Sequence, residues 1–157
     1  MLPRDFTEEQ SMFRAAYRRF LAAEIVPHME RWREQRIVDR EAFLKAGAEG
    51  YLMVWPDEKY GGMGDNDFRF EQVILEETAY ARVGDWYNSL HSRLVGPYLT
   101  RFGNEEQCMR FLPRCVKGEC ILAIAMTEPD AGSDLAGMRT HAEEHGEAHA
   151  HTPQEEA

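Results

Sequence analysis

Apolar side chains recur every three or four positions through most of the first 118 residues, a spacing that places them on one face of a helix. Thr7 followed by Gln10 is a capping-box pair, and Phe13, Ala16, Tyr17, Phe20, Leu21 and Ile25 continue the stripe to a helix end near Pro27. A short helical stretch at 28–35 continues it after a kink, with His28 at the surface. Asp39 is placed to cap a third helix carrying Ala42, Phe43, Leu44 and Ala46, which Gly47 and Gly50 weaken or end. Residues 52–56 then read as an extended apolar piece.

The fourth helix spans 66 to about 83 with Phe70, Val73, Ile74 and Ala81 inward, so Glu71, Glu76 and Glu77 mark a solvated or interhelix face. A fifth runs from about 85 to 101, kinked at Pro97 and closed by Gly103. His91 lies on it among Leu90, Leu94 and Val95, where a satisfied core or cavity histidine is the expectation. Asn104 with Gln107 is a second capping box, opening a sixth helix that carries Met109, Phe111, Leu112 and Val116, with Gly118 as its stop. The pattern therefore predicts a mainly α fold, a helical bundle over 6–118 that delivers the chain to a strand at 120–127.

That strand, the apolar run 121–126, ends in Thr127, Pro129 and a cluster of small residues. Gly132 lacks a Cβ, so a planar ring or a phosphate can approach the backbone N–H groups there, and Thr127 and Ser133 add hydroxyls. Two readings stand side by side: a plain strand and turn in which Thr and Ser stabilise their own loop, or a turn open to a ligand. Upstream, Gly61-Gly62-Met63-Gly64 is not a dinucleotide fingerprint, because the third glycine of that pattern falls at Asp67. It reads as a turn needing positive φ.

Composition narrows the class. Hydrophobic content of 43% with 11% aromatics fits a folded chain. A net charge of −10 argues against a nucleic-acid or anionic-membrane partner, and half of it sits in 141–157, where five glutamates meet no Lys or Arg. No apolar run reaches the ~20 residues of a membrane helix, and the first residues form no signal-peptide core. Cys108, Cys115 and Cys120 match no zinc spacing and read as free thiols of a reducing compartment, so a cytoplasmic location is expected. After Thr140 the chain carries His141, His145, His149 and His151 but no aromatic or branched aliphatic side chain, which predicts disorder over 147–157 and no functional metal site.

Thr127-Glu128-Pro129-Asp130-Ala131-Gly132-Ser133-Asp134 resembles the flavin-binding signature of the acyl-CoA dehydrogenases, and Tyr60-Gly61-Gly62-Met63-Gly64 resembles that family's upstream loop. The resemblance extends from about Phe6 to about Gly146, and its 123–129 wording is nearest to long-chain-type members. It implies a helical N-terminal domain over 1–119, the start of a central β domain over 120–146, and FAD as cofactor. It further implies that Ile124, Ala125, Met126, Thr127, Gly132 and Ser133 face the flavin, with Ser133 also near the acyl-CoA substrate. Asp130 departs from the family only where its motif varies. An electron-transfer flavoprotein as redox partner, and homo-oligomerisation of the intact protein, follow from the same likeness. The family's catalytic glutamate lies in a C-terminal domain, so no residue here is assigned that role, and after Thr140 the family pattern is lost. The expectation is thus a truncated N-terminal portion of a flavin-dependent acyl-CoA dehydrogenase, or alternatively a non-catalytic helical module or degenerate remnant.

Overall fold

The computed structural model describes residues 5–64, 67–145 and 148–152, and their backbone contacts divide the chain into two compact units that part between Ala123 and Ile124. The first unit is helical: α1 Glu8–Phe20, α2 Met29–Gln35, α3 Arg40–Ala48, α4 Phe68–Tyr80, α5 Gly96–Phe102 and α6 Glu105–Val116. Both capping boxes form. Gln10 N donates to Thr7 Oγ1 at 3.2 Å while Thr7 N donates to Gln10 Oε1 at 3.1 Å, and Asn104 and Gln107 repeat the exchange at 2.9 Å in both directions. Glu8 and Glu9 in the first turn and Arg18 and Arg19 in the last complement the helix dipole of α1. Thr7→Ala removes one acceptor from an otherwise orphaned N–H, and an expected loss of about 1 kcal/mol is readable by urea denaturation.

Both interruptions around proline take one form. A π-helical turn at Leu21–Ile25 precedes Pro27, and another at Leu90–Val95 precedes Pro97, closed respectively by Val26 N to Leu21 O and Gly96 N to His91 O. Proline cannot donate to the carbonyl four residues back, and its ring collides with it; one wide turn upstream shifts the register and relieves both. The predicted helix over 85–101 is accordingly not continuous. It is a short 3₁₀ turn at Gly84–Trp86, a left-handed Tyr87 at φ 54°, the π turn, and then α5.

Asp39 precedes α3 but does not cap it: its carboxylate accepts from Arg31 and Gln35 instead, and the guanidinium holds it well below the usual carboxylate range. Of the two alternatives for the glutamate face of α4, solvated or interhelix, the structure shows the interhelix one. Glu71 and Glu77 are both buried, and Glu77 and Glu76 are interhelix ion-pair partners of Arg14 and Arg18 on α1. The main core joins Tyr17, Phe20, Trp32, Phe43, Tyr51, Phe70 and Trp86. A second, smaller cluster packs Met53 and Tyr60 against Cys108, Leu112, Cys115 and Val116 of α6.

No ladder forms over 120–127. An extended segment becomes a strand only when another segment hydrogen-bonds to it, and among the described residues this one meets none. Strands appear further on, β1 His141–His145 antiparallel to β2 Ala148–Thr152, with His141 opposite Thr152 and His145 opposite Ala148. The disorder expected over 147–157 is therefore corrected at 148–152, because composition predicts the lack of a core and is silent on backbone pairing; 147 and 153–157 lie outside the described residues.

Candidate functional site

The glycine loop folds back over the piece before it. Met63 N donates to Val54 O at 3.0 Å and Gly64 N to Pro56 O at 2.8 Å, with Gly61 at φ 86° and Gly64 at φ 66° supplying the left-handed turns. A Cβ on Gly62 would stand 2.1 Å from Pro56 O, so that position needs glycine for close approach rather than for φ. Tyr60 roots the loop on α6 by donating its hydroxyl to Glu105 Oε2 at 2.8 Å.

In the second unit, the turn after the apolar run is closed by backbone. Glu128 N donates to Ala131 O at 2.9 Å and Ala131 N to Glu128 O at 3.3 Å. The Glu128 carboxylate then ties the turn to the chain beyond it, accepting Arg139 N at 2.8 Å and Thr140 N at 2.9 Å. Those amide donors hold its pKa below the ordinary glutamate value. Glu128 is the organising residue that sequence reasoning passes over; its one signal is an acid directly before the proline of the turn.

Thr127 directly precedes this turn, and Gly132 and Ser133 directly follow it. Ile124, Ala125, Met126, Thr127, Gly132 and Ser133 are all exposed. Neither the Thr127 nor the Ser133 hydroxyl has a hydrogen-bond partner among the described residues, so the reading in which they stabilise their own loop is not what the geometry contains. A Cβ added at Gly132 meets nothing within 4 Å, leaving open space over the turn. Free hydroxyls, open space and a turn fixed by other groups suit a ligand that takes hydrogen bonds from backbone and hydroxyl.

In the helical unit, the histidine and the thiols are committed elsewhere. His91 is buried, with Nε2 3.1 Å from Cys115 O and Nδ1 accepting Leu122 N at 3.0 Å. It is the satisfied core histidine that its apolar surroundings predict. The three cysteines are free thiols; burial pushes that of Cys115 up to about 12, far from nucleophilic use.

Residues 7–119 match the family model of the acyl-CoA dehydrogenase N-terminal domain. The chain is 43% identical over 143 residues to the long-chain specific acyl-CoA dehydrogenase, mitochondrial, of Sus scrofa, a match covering 91% of this chain and 33% of that protein. Among solved structures, an acyl-CoA dehydrogenase from Geobacillus kaustophilus superposes with a TM-score of 0.87 at 44% identity, covering 96% of this chain and 39% of that one. An acyl-CoA dehydrogenase from Bacillus anthracis, complexed with FAD, superposes with a TM-score of 0.80 at 33% identity, covering 90% and 24%. The chain thus spans about a third of the length of the curated relatives it matches. The match over residues 7–119 and these likenesses show that the chain belongs to the acyl-CoA dehydrogenase family.

Proposed function

We propose that this chain is the N-terminal portion of an FAD-dependent acyl-CoA dehydrogenase acting on long-chain acyl thioesters. One observation carries the reading: two exposed, unpartnered hydroxyls flank a turn whose own hydrogen bonds are already supplied by Glu128 and Ala131. In it, the backbone and side chains of Ile124, Ala125, Met126, Thr127, Gly132 and Ser133 hold FAD, and Ser133 also contacts the acyl-CoA. FAD supplies a hydride acceptor, which no side chain provides. Thr127 and Ser133 donate hydrogen bonds to it, Gly132 leaves room for close approach, and Glu128 keeps the turn rigid. The reading brings with it an electron-transfer flavoprotein as electron acceptor, a homo-oligomeric intact protein, and a cytoplasmic setting in keeping with three free thiols.

A second reading is a non-catalytic helical module, in which the carboxylates on α4 serve packing and ion pairing alone. Glu71 is sealed in the core and Glu76 and Glu77 are paired with arginine, so none of them is placed as a base. Flavin titration separates the two. In this chain joined to the central and C-terminal domains of the Geobacillus kaustophilus protein, Thr127→Val and Ser133→Ala should each weaken FAD binding by about two- to tenfold, the range of one lost hydrogen bond. Unchanged affinity and unchanged reduction by acyl-CoA in both variants would remove these residues from the site.

A further inference from the structure

Along the chain from α6, backbone anchors follow one another closely: Gly118 N donates to Cys115 O, and Glu119 N and Cys120 N both donate to Arg114 O. The next is Leu122 N on His91 Nδ1, and after it no backbone group from Ala123 to Thr127 hydrogen-bonds among the described residues until Glu128 closes its turn. The segment proposed to face the flavin therefore begins at the last anchor of the helical unit. That anchor is a side chain.

His91 suits the task in three ways. It projects from the π turn at Leu90–Val95, a register shift imposed by Pro97 downstream, and neighbouring Ser92 is used in the same manner, its hydroxyl accepting Met53 N at 3.1 Å. Because Leu122 N–H can only donate, Nδ1 is the bare nitrogen and Nε2–H donates to Cys115 O; the two bonds specify one neutral tautomer. The ring is 1% exposed and meets Phe43 edge-on at 5.9 Å, which fixes its plane.

We propose that His91 is a positioning residue for the flavin-facing segment, its Nδ1 holding Leu122 and so fixing the point at which the chain toward Ile124 and Met126 leaves the helical unit. The inference rests on the flavin reading for its purpose, and is tested on the 157-residue protein without flavin, so each can fail alone. Two variants split the two bonds. His91→Asn keeps an acceptor near the Nδ1 position and loses the donor to Cys115, whereas His91→Gln reaches the Nε2 position and loses the acceptor for Leu122. In amide exchange followed by NMR, His91→Gln should expose the Leu122 amide about tenfold faster and shift the resonances of Ile124 to Thr127, while His91→Asn keeps Leu122 protected. A purely structural histidine would give the same Leu122 protection in both variants, retained or lost, and that result overturns the proposal. An unsubstituted control guards against misfolding: in the wild-type protein the imidazole nitrogen spectrum should show an unprotonated Nδ1 coupled to the Leu122 amide, and an Nδ1–H tautomer would equally overturn it.

Discussion

Gly118→Ala should cost the helical unit about 3 kcal/mol, lowering its melting temperature by roughly 10 °C in a chain of this size. Two effects add there. Gly118 sits at φ +73°, where any Cβ is strained by on the order of 1 kcal/mol. The added methyl would also stand 2.2 Å from Phe43 O and 2.5 Å from Phe43 C, backbone atoms of α3 that have no rotamer by which to retreat. The contact is reciprocal, since a Cβ on Gly47 of α3 would stand 2.3 Å from the backbone carbon of Lys117. Two glycines thus let α3 and the end of α6 touch main chain to main chain. Gly50→Ala separates the two effects, because Gly50 has φ +74° but open space around it, so its loss should stay near ~1 kcal/mol. Equal melting temperatures for the two variants would mean that the backbone contact contributes nothing.

Those glycines show where a sequence stops informing. Gly118 is legible as a helix stop, because the apolar residues Met109, Phe111, Leu112 and Val116 end before it, although Met109 proves exposed and Cys108 takes the inward place. That it also abuts Phe43, far away along the chain, is a packing fact with no local signature. Capping boxes are legible at both helix starts because donor and acceptor lie within one turn of each other. Asp39 has the same local credentials as a cap, yet Arg31 reaches it from α2 and takes the carboxylate away. The prolines announce a disturbance at 27 and 97, but not that it takes the form of a π turn one step earlier.

At the candidate site the division is similar. The residue types and their order, Thr127 to Ser133, are readable, since turn residues and small side chains act through local backbone geometry. The strand before them is not, since pairing depends on a neighbour rather than on the apolar run itself. His91 is readable as buried; its use of both ring nitrogens, one to Cys115 and one to Leu122, emerges only from the crossing of distant segments.

Glu71→Met should stabilise the protein by about 1–3 kcal/mol at neutral and mildly alkaline pH, the cost of a buried polar group left without partners. Glu71 and Glu77 share α4 and are each 2% exposed, yet their environments are opposite. Glu77 receives Arg18 Nε at 2.7 Å and Arg14 Nη1 at 3.1 Å, and the guanidinium groups pull its pKa below the ordinary value. Neither oxygen of Glu71 has a hydrogen-bond partner among the described residues, and burial lifts its pKa. The signs follow from linkage. The Glu77 contribution is present above the unfolded value of ~4.3 and is lost as pH falls through its lower folded value. For Glu71 the neutral acid is the form the core accepts, so stability is intact below ~4.3 and falls by up to about 1.4 kcal/mol per pH unit as pH rises toward its folded value. The advantage of Glu71→Met should therefore widen as pH rises from about 4.3 through neutrality and approach a constant small difference at the acid end. Glu77→Gln should run the other way, its penalty shrinking as acid protonates the wild-type carboxylate. Urea titrations of the three proteins across that pH range decide the matter: a Glu71→Met protein that is less stable than wild type, or whose difference from it does not change with pH, would show that the buried carboxylate is better satisfied than its surroundings indicate.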